Sequence, residues 1–335
     1  MSVMQENLNK IFSILKTYEN FELYMLNHDG SVNDDLLKNH ISLWISQFDK
    51  SEQEFMVLIA AKLLEERFIT KEEEIDFIKN LFSNNILSKN KTMPFPLDIQ
   101  KNGNSQTRLI GHYNFFMSSF GYSYAEDSVI YLDDFIFSGG RVFEDLSNWI
   151  PLQEKSYKIY VVVIGCHTNF WRIEKLLNEK INHTNITKGI NLSINFIKLN
   201  ELENRLFRKN QSDVLWPMDH FFRNERYQHL IDPSFNYRDG FIATPQSFFT
   251  NNDDRVRFEN ICLKYGFEII QRCQNPNRTT RPLGIHRYSY GFGGLVFSYK
   301  NCPNNTPLLF WWGSSNPASP MYNQWHPLMP RRIYG

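Results

Sequence analysis

The 335-residue chain, 42% apolar and 15% aromatic, is long enough for two domains or one domain with a sizeable appendage. Its 36 Lys and Arg balance 36 Asp and Glu, so charge alone does not make the whole chain a polyanion binder. Cys166, Cys262, Cys273 and Cys302 form no CxxC pair, which argues against a zinc site or disulfide framework. The polar start lacks a signal-peptide pattern and no apolar run has membrane-spanning length, so a cytoplasmic protein with no membrane association is expected.

Residues 4–83 read as helices. Leu8, Ile11, Phe12, Leu15 and Tyr18 recur at helical spacing, as do Leu36, Leu37, Ile41, Trp44, Ile45 and Phe48. Ser51 with Glu54, and Thr70 with Glu73, fit capping boxes that open two further helices. A helical N-terminal domain over 1–90 is therefore expected, with the apolar stretch Phe55 to Leu64 at its centre. Residues 1–90 carry nine Lys/Arg against fifteen Asp/Glu, which leaves +6 on the remainder. That deficit opposes nucleic-acid binding by the helices and favours contact with a protein partner.

Residues 91–108, with Pro94 and Pro96, read as a connector. The pattern over 109–335 then changes to strands alternating with helices, the signature of a parallel α/β sheet. The apolar run Val129 to Leu132 reads as a buried parallel strand. It ends in adjacent carboxylates, Asp133 and Asp134, followed by Phe137, then Ser138-Gly139-Gly140-Arg141, then a helix over Val142 to Trp149. In an open α/β sheet ligands bind beyond the carboxyl ends of the strands, where these acids fall. A Ser-Gly-Gly turn at a helix start can offer backbone N–H groups to a phosphate. Acids for sugar hydroxyls or a metal, beside a phosphate cradle, suit a phosphorylated ribose. The plainer reading is a strand end, an ordinary turn and a helix start.

Tyr157 to Gly165 reads as a second strand, Asn169 to Lys180 as a helix and Asn191 to Leu199 as a third strand. Cys166-His167 closes the second strand, a position facing the same cleft, and as a lone pair is weak evidence for a nucleophile or a metal ligand. Beyond 200 the signal weakens, with a helix over Arg255 to Tyr265 and two late strands, Gly294 to Tyr299 and Pro307 to Trp312. Trp311, Trp312 and Trp325 suit either base stacking or a core. His286, Arg287, Arg331 and Arg332 suit either phosphate contact or a solvated basic surface.

The strand, paired acids and Ser-Gly turn are similar to the binding signature of type I phosphoribosyltransferases. Within them, four stretches resemble the phosphoribosyltransferase-like proteins of prokaryotic anti-phage conflict systems: Leu43–Phe48, Leu132–Gly139, Leu295–Phe297 leading to Pro303–Thr306, and Trp325–Arg331. The resemblance implies a parallel-sheet phosphoribosyltransferase-like core with an N-terminal helical, winged-helix-like domain. It implies phosphoribosyl diphosphate or a nucleotide as ligand, with Mg²⁺. Asp133 and Asp134 would serve as catalytic groups on the ribose hydroxyls or the Mg²⁺. Phe137, Ser138, Gly139, Gly140 and Arg141 would bind the 5′-phosphate. Arg141 stands where such enzymes carry a second Thr or Ser. Arg108, on the preceding element, is a candidate pyrophosphate contact or else a solvated Arg. The reading divides between an enzyme acting at ribose C1, a non-catalytic sensor that signals to a partner protein, and an interaction scaffold.

Overall fold

The computed structural model describes residues 2–21, 25–100, 104–219, 235–245, 247–273, 277–286, 289–314, 316, 319, 321 and 323–331. Helix α1 (Val3–Leu15) is capped by Ser2, whose Oγ accepts the Gln5 N–H at 3.2 Å. Helix α2 (Asp34–Ser46) is capped by Asn33 Oδ1, which accepts the N–H groups of Asp35 and Leu36. Helix α3 (Lys50–Arg67) starts just ahead of the expected Ser51 box. It buries eight side chains around most of its circumference, from Phe55 to Leu64, as a central helix must. Strand β1 (Phe68–Ile69) pairs in parallel with Phe297–Ser298, not back on itself as an antiparallel wing.

Helix α4 (Lys71–Leu81) follows directly after Thr70. Then come β2 (Thr92–Pro96), α5 (Asn104–Phe120), β3 (Ser123–Ile136), α6 (Gly140–Trp149), β4 (Lys158–His167), α7 (Trp171–Lys188) and β5 (Ser193–Leu202). The four strands form one parallel sheet in the order β2-β3-β4-β5. Val129, Tyr131, Ile159, Val161 and Val163 pack with Val142, Leu146, Leu177 and Ile181 of α6 and α7. The alternate residues Ile130, Leu132, Tyr160, Val162 and Ile164 are buried as well. With both faces covered, the strands have no polar alternation, which is why β3 and β4 read as continuous apolar runs.

The stretch expected as a connector contains the edge strand β2. Its two prolines hid it, and they have a structural use. Leu97 N–H turns inward to Ile130 O at 2.8 Å, so the pleat turns the nitrogens of Pro96 and Pro94 toward the open edge. Neither has a hydrogen to donate, and the Tyr113 hydroxyl donates to Pro94 O at 2.8 Å. That edge is thereby closed to further strand pairing.

Helix α8 (Asn252–Arg272) is capped by Asn251, whose Oδ1 accepts the Asp254 N–H. Of the two late strands expected, only β6 (Phe297–Ser298) forms, and Pro307 to Trp312 yields a short helix, α9 (Leu308–Trp311). These apolar runs are buried by packing, and their backbones bond to coil: Leu215 N–H to Gly293 O, and Gly294 N–H to Asn305 O. Gly291 and Gly293, at φ 125° and 73°, turn the chain where a strand would have to run straight.

The chain divides into two units, Lys71–Arg205 and the combination of Met1–Thr70 with Leu206–Gly335. These limits differ from those read in the sequence, because α4 and the 91–108 stretch join the sheet and the C-terminal third folds with the first three helices. Three of the four stretches that carry the family resemblance meet in the discontinuous unit. The indole N–H groups of Trp44 and Trp325 both donate to Leu309 O, at 2.9 and 2.8 Å. Gln47 brackets His326, donating to its carbonyl and accepting its N–H, each at 2.8 Å.

The charge asymmetry dissolves in this arrangement. Residues 1–70 hold six Lys/Arg against eleven Asp/Glu, residues 206–335 fifteen against nine, and residues 71–205 fifteen against sixteen. The unit bearing the acid pair is therefore not the basic one. The acidic helices find their counter-ions in the C-terminal segment, as where Lys264 pairs with Asp49 and Glu52 and Lys300 with Glu19. Among the described residues no helix is long and apolar enough to cross a membrane.

Candidate functional site

The acid pair lies near the carboxyl end of β3, opposite Val163 to Gly165 of β4. Asp133 is buried, and its Oδ1 accepts the Asp134 N–H at 3.0 Å and the Ser105 hydroxyl at 3.4 Å. Burial first, and the neighbouring Asp134 second, push its carboxyl well above the usual carboxylate range. Asp134 is more open. Its Oδ1 accepts the Phe135 N–H at 2.7 Å, and its Oδ2 lies 3.9 Å from Arg108 Nη2. The two acids thus differ in setting, one sequestered and one accessible beside a guanidinium.

The turn after β3 has the conformation that an anion cradle needs. Gly139 adopts φ 74° and precedes α6, whose first residue is Gly140. No side chain caps this helix N-terminus, and Phe143 N–H takes up Gly139 O at 3.0 Å. The amides of Gly140, Arg141 and Val142 therefore start the helix with their hydrogens directed past its end. A β-carbon at 139 would lie 2.7 Å from both Ile173 Cγ1 and Phe170 Cδ2, so glycine is required twice over, by φ and by space. Ser138, Gly140 and Arg141 are exposed, and Phe137 is half-buried.

One residue that shapes this site, Gln106, carries no local sequence signal, whereas Cys166-His167 stands out at the end of its strand. Gln106 of α5 uses Oε1 to accept the N–H groups of Ile99 and Gln100, at 3.0 and 2.9 Å, fixing the chain after β2. His167, at the end of β4, is fully buried. Its ring packs 5.2 Å from those of Phe135 and Phe137, and its Nδ1 lies 3.4 Å from Ile136 O. It supports the turn from beneath. Cys166 belongs to the sheet core, where burial drives its thiol up to about 12, far from nucleophilic use.

Arg108 is anchored by Glu74 of α4. Its Nε and Nη2 donate to the two carboxylate oxygens at 2.8 and 2.7 Å, and Glu74 is almost fully buried. The C-terminal candidates lie in the other unit. Trp311 and Trp325 are core residues, and Arg331 stacks over Trp311 and donates to Cys302 O at 2.7 Å. His286 packs edge-on to Phe292. Arg287 and Arg332 lie outside the described residues.

A comparison with protein-family models matches PRTase-CE over residues 41–331. The chain belongs to the PRTase-CE family. This match spans both units and takes in Leu43–Phe48, the acid pair with its turn, and Trp325–Arg331. The phosphoribosyltransferase-like parallel sheet and the N-terminal helices agree with membership of PRTase-CE. Neither the curated proteins nor the solved structures searched contain a match.

The donor set fits a magnesium ion shared with a substrate. Mg²⁺ takes oxygen ligands and is commonly held by one or two carboxylates together with substrate phosphates and waters. The accessible Asp134 would supply one such oxygen, and the sequestered Asp133 would hold Asp134 in place through its N–H. Among the described residues no cluster of three or more His, Cys, Asp or Glu forms a free-standing metal cage.

Proposed function

We propose that residues 71–205 bind a phosphoribosyl ligand, phosphoribosyl diphosphate or a nucleotide, with Mg²⁺ at the carboxyl end of β3. The observation that carries this reading is the uncapped start of α6 behind a glycine at φ 74°, immediately after a paired carboxylate. The 5′-phosphate takes the amides of Phe137 to Arg141 and the Ser138 hydroxyl. Asp134 accepts hydrogen bonds from the ribose hydroxyls, and Asp133 holds Asp134 in place through its N–H.

Chemistry at such a site is displacement at ribose C1: the bond to the leaving pyrophosphate breaks, and a bond to the incoming nucleophile forms. As C1 gains oxocarbenium character, the Asp134 carboxylate stabilises the positive charge and the cradle holds the sugar in line. Bound Mg²⁺ would neutralise charge on the leaving pyrophosphate.

A second reading, a ligand sensor without turnover, is favoured by one observation. Arg108, the basic group that the sequence offered to pyrophosphate, is engaged by Glu74. A sensor of this kind would signal through its N-terminal helices to a protein partner. The role in prokaryotic anti-phage defence is proposed on the family resemblance of the four stretches.

Calorimetry with phosphoribosyl diphosphate and Mg²⁺, followed by a pyrophosphate-release assay, separates these readings. Binding with turnover, both lost in Asp134→Asn, supports the enzyme, and binding without turnover supports the sensor. Absence of binding sinks both.

A further inference from the structure

The ion pair between Glu74 and Arg108 lies on α4 and α5, outside the strand-and-turn motif, yet it reaches the acid pair. Glu74 is 1% exposed and Arg108 18%. The guanidinium gives its Nε and Nη2 to Glu74 in a two-pronged contact, and the same Nη2 stops 3.9 Å from Asp134 Oδ2. Glu74 Oε1 also lies 3.6 Å from His112 Nε2, so Glu74 is the hub to which both α5 side chains turn.

Two carboxylates thus compete for one cation, and the buried one holds it more closely. A guanidinium free to choose would close the remaining distance and pair directly with Asp134, since a charge-assisted fork is the stronger arrangement. That contact would occupy the oxygen that a ribose hydroxyl or a metal must reach, and would neutralise its charge.

We propose that Glu74 is a positioning residue for the ligand site: by holding Arg108 short of Asp134, it keeps the accessible carboxylate open for the phosphoribosyl ligand. Arg108 then acts as a nearby counter-charge, a different role from the pyrophosphate contact that its place in the sequence suggests. The inference rests on the ligand reading given above and goes beyond it by assigning the restraint to a helix that precedes the sheet.

The test is calorimetric titration of the full chain with phosphoribosyl diphosphate and Mg²⁺, with melting curves recorded for each variant. Glu74→Gln releases the arginine, and affinity should fall about tenfold or more, the worth of a direct charge-assisted contact. Glu74→Gln combined with Arg108→Gln removes both charges, and affinity should return to within a few fold of the parent. That recovery is a result that general damage to α4 would not produce. Parental affinity in a folded Glu74→Gln, or a double variant as weak as the single one, overturns the proposal. The second of these results would instead place Arg108 on the ligand. If the parent chain fails to bind, the ligand reading falls and takes this inference with it.

Discussion

Gly165 and Phe135 fit as a matched pair across β4 and β3. A β-carbon at 165 would lie 2.8 Å from Phe135 Cδ2, and the ring also meets His167 beneath the turn that follows. Gly165→Ala is expected to cost about 1–3 kcal/mol, as overpacking in a closed core does. Denaturant unfolding should show a lower midpoint with an unchanged slope. Phe135→Leu in the same chain should recover part of the loss, and failure to recover any would show that the strain lies elsewhere.

Gly139 combines a positive φ with contacts to Phe170 and Ile173. Gly139→Ala should cost on the order of 1–3 kcal/mol, and it should weaken ligand binding more than its loss of stability explains, since the turn itself must move. Affinity measured well below the melting temperature separates the two effects.

Trp44 and Trp325 share one acceptor, Leu309 O. Replacing either by Phe removes one hydrogen bond worth about 1 kcal/mol. The carbonyl keeps its other donor in each single variant, so the double variant should lose more than the sum. A double-mutant cycle reads that coupling directly.

His40 makes a proton-sensitive seam with the C-terminal segment. Leu328 O can only accept, so His40 Nε2 carries the hydrogen and Nδ1 accepts from His326 Nε2, at 2.9 and 3.0 Å. Protonating His40 would bring two N–H groups face to face. Burial, then His326, lower the His40 imidazole to about 3, and burial lowers that of His326 to about 4. Because these folded-state values lie below the ordinary 6.5, the unfolded chain takes up protons first. Their contribution to stability is complete above about pH 6.5 and is lost as the pH falls toward the folded values. The denaturant midpoint should drop over that window, and His40→Gln should reduce the dependence by roughly one proton. An unchanged profile in His40→Gln would refute the assignment.

Asp133 has the opposite sign. Its carboxyl is raised by burial and by Asp134, so ionising it destabilises the fold, and stability rises as the pH falls from the folded value toward the ordinary one. Asp133→Asn keeps the acceptor for the Asp134 N–H and should melt at a higher temperature than the parent at pH 7. A lower melting temperature would contradict this account.

The core of the site was legible because its chemistry is contiguous: an apolar strand, two acids and a Ser-Gly-Gly turn occupy residues 129–140. Glu74, Ser105 and Gln106 were not legible as site residues, since each reaches the site through tertiary packing and looks ordinary in its own segment. The prolines that made 91–108 look like a connector belong to an edge strand, where a missing N–H is no loss. Apolar runs near 294–299 and 307–312 were read as strands because burial, not periodicity, produces them. The charge split of the chain was an artefact of cutting it at residue 90.

The hydroxyl of Tyr18 donates to Pro330 O, a bond that spans 312 residues. During translation the first three helices therefore leave the ribosome long before their partners exist. Residues 71–205 are complete in sequence well ahead of them, and the sheet can close while the unit that began the chain still waits. An order of folding that runs from the middle outward would leave the apolar faces of α1 to α3 exposed for the longest time.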